Sequence, residues 1–222
     1  MKLIRSIIQK PIFGLRVPRA NFAVSIKDIE KNLVATLKSE ISGEEVDTET
    51  QGVVESFLKE HQWKLECSEN STRMTLTKQL PNHHVKIYYE AKLPESAQEE
   101  QEEGKENQEQ NSEYIDFTVV VDKKKDKKLV ATIYFTDGEI YVHELFFSKN
   151  ADEIAERKVT NLTGYSGPAI ESLEENLQKK VNQYLGGLGV TAELAEIINQ
   201  SSVLQEASLY RSYLEEFKNF AE

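Results

Sequence analysis

The stretch LVATIYFTDGEIYVHELFF, residues 129–147, decides the fold class. Two runs rich in β-branched and aromatic residues are joined by Asp137-Gly138, a dipeptide suited to the left-handed backbone of a two-residue hairpin. The pattern predicts strands over 129–136 and 139–147. The second run has apolar residues on both faces by strict alternation: Ile140, Val142 and Phe146 on one, Tyr141, Leu145 and Phe147 on the other. Such a strand is expected to lie centrally or beneath packed helices.

Upstream, the same two-residue period recurs. Trp63, Leu65 and Cys67 alternate within 61–67, and Met74, Leu76 and Leu80 fall within 72–80. Val85, Ile87, Tyr89 and Ala91 share one face of 84–93, with Lys86, Glu90 and Lys92 opposite. Ile115, Phe117, Val119 and Val121 mark a strand over 114–121. One apolar and one wetter face per strand means an antiparallel sheet. Lys123, Lys124, Lys125, Lys127 and Lys128 crowd the turn that follows and are read as a solvated hairpin tip.

At either end the period becomes helical. Ile26, Ile29, Leu33, Leu37 and Ile41 form a stripe over 25–42, with Ser25 placed to cap it and Asp28 in the first turn. An acidic connection is expected over 43–52. Near the C-terminus Pro168 suits a helix start, and Ile170, Leu173, Leu177, Val181, Leu185 and Leu188 continue it. Gly189 is a natural helix stop and Thr191 a cap for the next helix, in which Ser201-Ser202 suggests a bend.

Charge is unevenly spread. Residues 1–22 carry Lys2, Arg5, Lys10, Arg16 and Arg19 and no acid, with Leu3, Ile4, Ile7 and Ile8 between. An amphipathic, basic, acid-free leader has the physics of a mitochondrial presequence. The whole chain stands at −11; without those five cations, 22 basic residues face 38 acidic ones, so residues 23–222 stand at −16. That excess repels nucleic-acid phosphates and attracts basic proteins. Residues 95–113 hold Glu99, Glu100, Glu102, Glu103, Glu106 and Glu109 among polar neighbours and are expected to be a disordered acidic loop that can meet basic partners. The expected organisation is a presequence over 1–22 and one acidic α+β domain over 23–222.

No catalytic constellation emerges. His83 and His84 are adjacent and point to opposite faces of a strand, and no zinc-like spacing occurs. Neither cofactor nor metal is expected. Glu144 is the best single carboxylate candidate, with His143 beside it, but a structural ion pair with a lysine of the adjacent strand is the preferred reading. Cys67, the one cysteine, is expected to be a buried, inert thiol.

The C-terminal run Tyr165-Ser-Gly167-Pro168, then Leu173-Glu-Glu-Asn-Leu177, then Tyr184-Leu185 and Gly189-Val190, resembles the mitochondrial acidic matrix protein family, also known as binders of a complement component's globular heads. The likeness continues through Glu193-Leu194-Ala195, Tyr210, Leu214-Glu215, Phe217 and Phe220. It implies an α+β fold: a strongly twisted antiparallel sheet of about seven strands, flanked by one N-terminal and two C-terminal helices, in a doughnut-shaped homotrimer. The seventh strand would fall near 158–162. It further implies a non-enzymatic, chaperone-like scaffold of the mitochondrial matrix that binds basic proteins, such as ribosomal or RNA-binding ones, and supports translation, ribosome assembly and oxidative phosphorylation. Two rival readings remain at this stage. One is an RNA-associated regulator binding through the lysine turn; the other is a lipid or small-molecule carrier with a pocket between a curved sheet and its helices.

Overall fold

The computed structural model describes residues 25–44, 47–68, 70–91, 114–158 and 164–222. The expected presequence and acidic loop lie outside these residues. Six antiparallel strands, β1 (Lys64–Cys67), β2 (Arg73–Leu80), β3 (His83–Glu90), β4 (Ile115–Asp122), β5 (Lys128–Thr136) and β6 (Glu139–Ser148), form one sheet in sequence order. The seventh strand expected near 158–162 falls mostly on residues outside the description, and Lys158 itself lies in a bend. Asp137 and Gly138 have φ of 52° and 79°, the doubly left-handed turn their sequence demands.

β6 departs from expectation twice. Among the described residues it is an edge strand, not a central one, although the C-terminal helix and the 3-10 turn Ile170–Ser172 do pack on it, as the other alternative expected. Thr132 pairs with Glu144 while Ile133 pairs with Val142, so His143 is an extra residue, a β-bulge. The bulge swaps sides: Ile140 and Val142 share their face with Leu145 and Phe147, opposite Phe135, Ile133, Ala131 and Leu129. Tyr141 shares the other face with Glu144 and Phe146, opposite Tyr134, Thr132 and Val130.

One sheet face is the main core. Val85, Ile87, Phe117, Val119, Ala131 and Ile133 are essentially inaccessible there. Each large apolar side chain so buried contributes about 1.5–3 kcal/mol. Four longer or terminal helices belong to this fold: α1 (Ile26–Gly43), α2 (Thr48–Glu60), α4 (Glu175–Gly187) and α5 (Ala192–Ala221), with a five-residue α3 (Ala151–Ala155) between β6 and α4. Val54 and Phe57 of α2, Leu185 of α4, and Leu194, Ile197 and Ile198 of α5 close the main core.

α2 takes up the second half of the acidic connection expected over 43–52, so among the described residues two helices, not one, precede the sheet. Asp47 caps it, accepting from the Thr50 amide at 2.9 Å and the Thr50 hydroxyl at 2.7 Å. Gln62, with φ of 57°, ends it: its amide donates to the Lys59 carbonyl and the Trp63 amide to that of Leu58. This is a Schellman closure without glycine.

At the C-terminal side, Pro168 precedes a single 3-10 turn (Ile170–Ser172), and α4 begins only at Glu175. α4 then closes with a glycine Schellman motif: Val190 donates to Leu185 at 3.1 Å, Gly189 to Gly186 at 2.9 Å, and Gly189 has φ of +95°. Thr191 caps α5 through the Leu194 amide at 3.2 Å. Ser201 and Ser202 do not interrupt α5; both are buried, their small side chains letting the helix press onto β3.

Candidate functional site

The second face of the sheet is polar and only partly covered. α3 sits on it through a small apolar cluster of Tyr88, Val120, Val130, Phe146 and Ala151. Asp152, in the first turn of α3, accepts from Lys86 Nζ at 2.9 Å, from the Tyr88 hydroxyl at 2.7 Å and from Lys128 Nζ. Partial burial alone would raise its carboxyl, but bonds from Lys128, Tyr88 and Lys86 override that and hold it well below the usual carboxylate range. The bond to Asp152 likewise pushes the Lys128 ammonium up.

Beside α3 lies a cleft of about 550 Å³, lined by Cys67, Arg73, Tyr88, Glu90, Asp116 and Arg157 among others. Its rim is an arginine–carboxylate bridge: Arg157 places Nη1 3.4 Å from Glu90 Oε2 and Nη2 3.4 Å from Asp116 Oδ2. The cleft is on the face opposite the main core. The pocket a carrier was expected to hold between sheet and helices is, on the main face, occupied by close-packed Val85, Ile87 and Val119.

From Asp116 the register runs outward in one row: Asp116 opposite Tyr134, and Tyr134 opposite Tyr141. Tyr134 meets Tyr114 edge-on at 5.6 Å and the bulged His143 at 4.9 Å. The Tyr141 hydroxyl donates to Glu139 at 3.0 Å. The sheet therefore has two unlike ends. Ala91, Tyr114 and the Asp137-Gly138 turn share one end, where Glu139 also lies; the turn with exposed Lys123, Lys124, Lys125 and Lys127 is at the other.

The expected site residues scatter. Glu99, Glu100, Glu102, Glu103, Glu106 and Glu109 lie outside the described residues. Glu144 is exposed opposite Thr132, and among the described residues no lysine pairs with it, because its cross-strand neighbour is a threonine. Cys67 is exposed, not buried, because β1 is a four-residue edge strand that ends at it. Its thiol contacts the Ser68 and Ser71 carbonyls at 3.5 and 3.8 Å.

The motif residues are structural in different degrees. Leu185 and Leu214 are buried, Leu173 and Phe217 half-buried, and Tyr165, Pro168, Leu177, Tyr184 and Phe220 exposed. Gly167, with φ of +80°, lies where a Cβ would be 2.8 Å from the Leu145 carbonyl oxygen. Tyr210 reaches Glu40 of α1 at 3.5 Å. Tyr141 stands out in the sequence only as one of the apolar residues of its strand, and neither Tyr134 nor Arg157 is singled out there; the period of the two strands is visible in the sequence, the cross-strand partners of the tyrosines and the contacts of Arg157 are not. Among the described residues no group of three or more His, Cys, Asp or Glu is placed to hold a metal, and no helix is long and apolar enough to cross a membrane.

Six antiparallel strands in sequence order, backed on one face by helices from both ends of the chain, define an α+β protein of one recognisable kind. The chain belongs to the mitochondrial glycoprotein (MAM33) family, whose pattern matches residues 37–221. Solved structures share the fold. A Leishmania major protein of unknown function, described as a sequence homologue of human p32, superposes with a TM-score of 0.64 at 19% identity, covering 87% of this chain and 99% of that one. The Trypanosoma brucei p22 protein gives 0.65 at 19% identity, covering 88% and 100%.

Proposed function

We propose that this chain is a non-enzymatic, chaperone-like scaffold of the mitochondrial matrix that docks basic proteins and supports mitochondrial translation, ribosome assembly and oxidative phosphorylation. Family membership supports a mitochondrial protein. The observation that carries the docking reading is the charge: with the basic residues of 1–22 set aside, 38 acidic residues face 22 basic ones. On this reading residues 1–22 are an import leader, and Glu99, Glu100, Glu102, Glu103, Glu106 and Glu109 contribute negative charge toward the basic partner.

Assembly as a homotrimer is part of the proposal. Among the described residues β6 is an edge of the sheet, and Phe147 and Tyr141 on it are 58% and 49% exposed. Edges of this kind are covered by association. Light scattering after size exclusion is expected to give three copies; a stable monomer overturns the ring. Pull-down from matrix extract is expected to retain basic proteins at low salt and release them as ionic strength rises. Retention indifferent to salt overturns charge-led docking.

A second reading has its own observation. Lys123, Lys124, Lys125 and Lys127 are exposed on one turn, which suits a phosphate backbone. Reversing those charges is expected to abolish RNA binding if that reading holds, and to leave it unchanged if RNA arrives only through protein partners.

A further inference from the structure

The molecule is acidic, yet the turn between β4 and β5 is basic. Residues 122–128, Asp-Lys-Lys-Lys-Asp-Lys-Lys, set five lysines against two aspartates at the end of the sheet remote from the Asp137-Gly138 turn. Both aspartates are already engaged. Asp122 takes Lys128 Nζ at 3.4 Å and the Lys124 amide at 2.6 Å, and Asp126 takes Lys149 Nζ at 2.9 Å. Lys128 is held by Asp152 as well. Lys123, Lys124, Lys125 and Lys127 are all exposed, and among the described residues no ion pair holds any of them. Lys124, at φ 57°, lets the chain reverse there, and none of the four lines the cleft beside α3.

Two kinds of polyanion suit free lysines on a tip, and they ask for different surroundings. Single-stranded RNA is held in grooves where aromatic rings stack its bases, and residues 122–128 contain no aromatic residue. A lipid bilayer is flat, needs no groove, and rewards each lysine near its anionic surface. The rest of the chain separates the two further. A strand that wraps the protein meets its excess carboxylates. A plane that touches only the tip leaves those further down the sheet beyond the screening length, about 8 Å at physiological salt.

We propose that the turn over 123–127 is a docking tip for an anionic lipid bilayer, which holds the protein at a membrane surface and leaves its acidic remainder to basic partners. The tip stands on its own observations; its multiplication rests on the homotrimer proposed above. Cyclic symmetry sets equivalent points at one height along its axis, so three tips lie in one plane and meet a flat surface together.

The test is sedimentation of the full chain with vesicles of phosphatidylcholine, alone or mixed in equal parts with phosphatidylglycerol. Binding is expected only to the mixed vesicles and is expected to fall as salt rises. Glutamine at Lys123, Lys124, Lys125 and Lys127 together is expected to weaken it about a hundredfold or more. Residues 1–22 are basic too, so orientation is read separately. An environment-sensitive dye on Asn150→Cys in a Cys67→Ser background sits next to Lys149 at the tip and is expected to shift to the blue on the mixed vesicles. The same dye on native Cys67, which the register places toward the other end of the sheet, is expected not to shift. Equal pelleting of the four-lysine variant, or a shift at Cys67 and none at Asn150→Cys, overturns the tip. Wild type that ignores the mixed vesicles also overturns it, in favour of RNA where it binds polyuridine through the same lysines. Either result leaves the docking of basic proteins standing. Lys125→Gln alone separates tip from ring: three tips acting together lose about a hundredfold, whereas a loss of about fivefold overturns the three-point contact and keeps the tip.

Discussion

The hydroxyls of Tyr89 and Ser201 meet at 3.0 Å inside the main core, tying the end of β3 to the first third of α5. Ser201 also donates to the Ile198 carbonyl at 3.0 Å, which leaves the tyrosine as donor between the two. Burial pushes the Tyr89 phenol well above its ordinary range. Ser201→Ala leaves that phenol buried without an acceptor and is expected to cost about 1–3 kcal/mol. Adding Tyr89→Phe is expected to recover much of the loss, since two apolar groups need no partner. Urea denaturation of the two single variants and the double variant measures this.

Asp152 anchors α3 and sets an acid limit to stability. Its folded carboxyl lies below the unfolded value of about 3.9. Its contribution is therefore fully present above about pH 4 and is lost as pH falls further. Asp152→Asn is expected to cost about 2 kcal/mol at neutral pH and to flatten the fall in stability below pH 4. Lys128, raised by the same contact, contributes in the opposite sense: its share is lost only as pH rises past the ordinary lysine range. Thermal melts from pH 2 to 11 report both limbs.

Three neighbouring glycines are expected to respond with opposite signs. Gly186 and Gly187 lie within α4 with open space where a Cβ would go, so alanine at either is expected to stabilise by about 1 kcal/mol. Gly189 holds the left-handed position of the closing motif, and a Cβ there would sit 3.0 Å from Lys78 Nζ and 3.4 Å from Trp63 Cζ2. Lys78 can yield; the backbone cannot. Gly189→Ala is expected to cost about 1–2 kcal/mol. Trp63, the one tryptophan, reports unfolding in each variant by its fluorescence.

Cys67 is expected to react in the folded state. Its exposure allows an alkylating reagent to reach it without unfolding, while partial burial pushes its thiol up and keeps the thiolate scarce at neutral pH. Mass spectrometry of iodoacetamide adducts is expected to show slow modification at pH 7 and much faster modification toward pH 10, with the melting temperature unchanged.

Much of this fold was legible because alternation survives in β2 to β5, whose inward residues are apolar without exception from Val85 to Ala91 and from Phe117 to Val121. β6 misled for a definite reason. A bulge inserts one residue, so every side chain after His143 changes sides, and a strict period assigns Leu145, Phe146 and Phe147 to the wrong faces. α2 was hidden because Gly52 lies inside it and a glutamine, not a glycine, closes it. Cys67 follows the alternation of Trp63 and Leu65 yet faces solvent, since a strand's last residue at a sheet edge has nothing to bury it. The aromatic row could not be read at all. Tyr134 and Tyr141 are neighbours only through the hairpin register, and Asp116 only through the next strand, which no local pattern reveals.

α5 is 30 residues long, about 45 Å of continuous helix. Its first half is embedded through Leu194, Ile197, Ile198 and Ser201, and its far portion carries α1 by way of Leu214, the Tyr210 contact to Glu40 and the Lys38–Glu222 pair at 2.9 Å. It is thus a cantilever, clamped at one end in the sheet and loaded at the other by the chain's first helix. Where the beam goes, the load follows. Whatever displaces the outer arm of α5 is expected to displace α1 with it, through the contacts between the two helices.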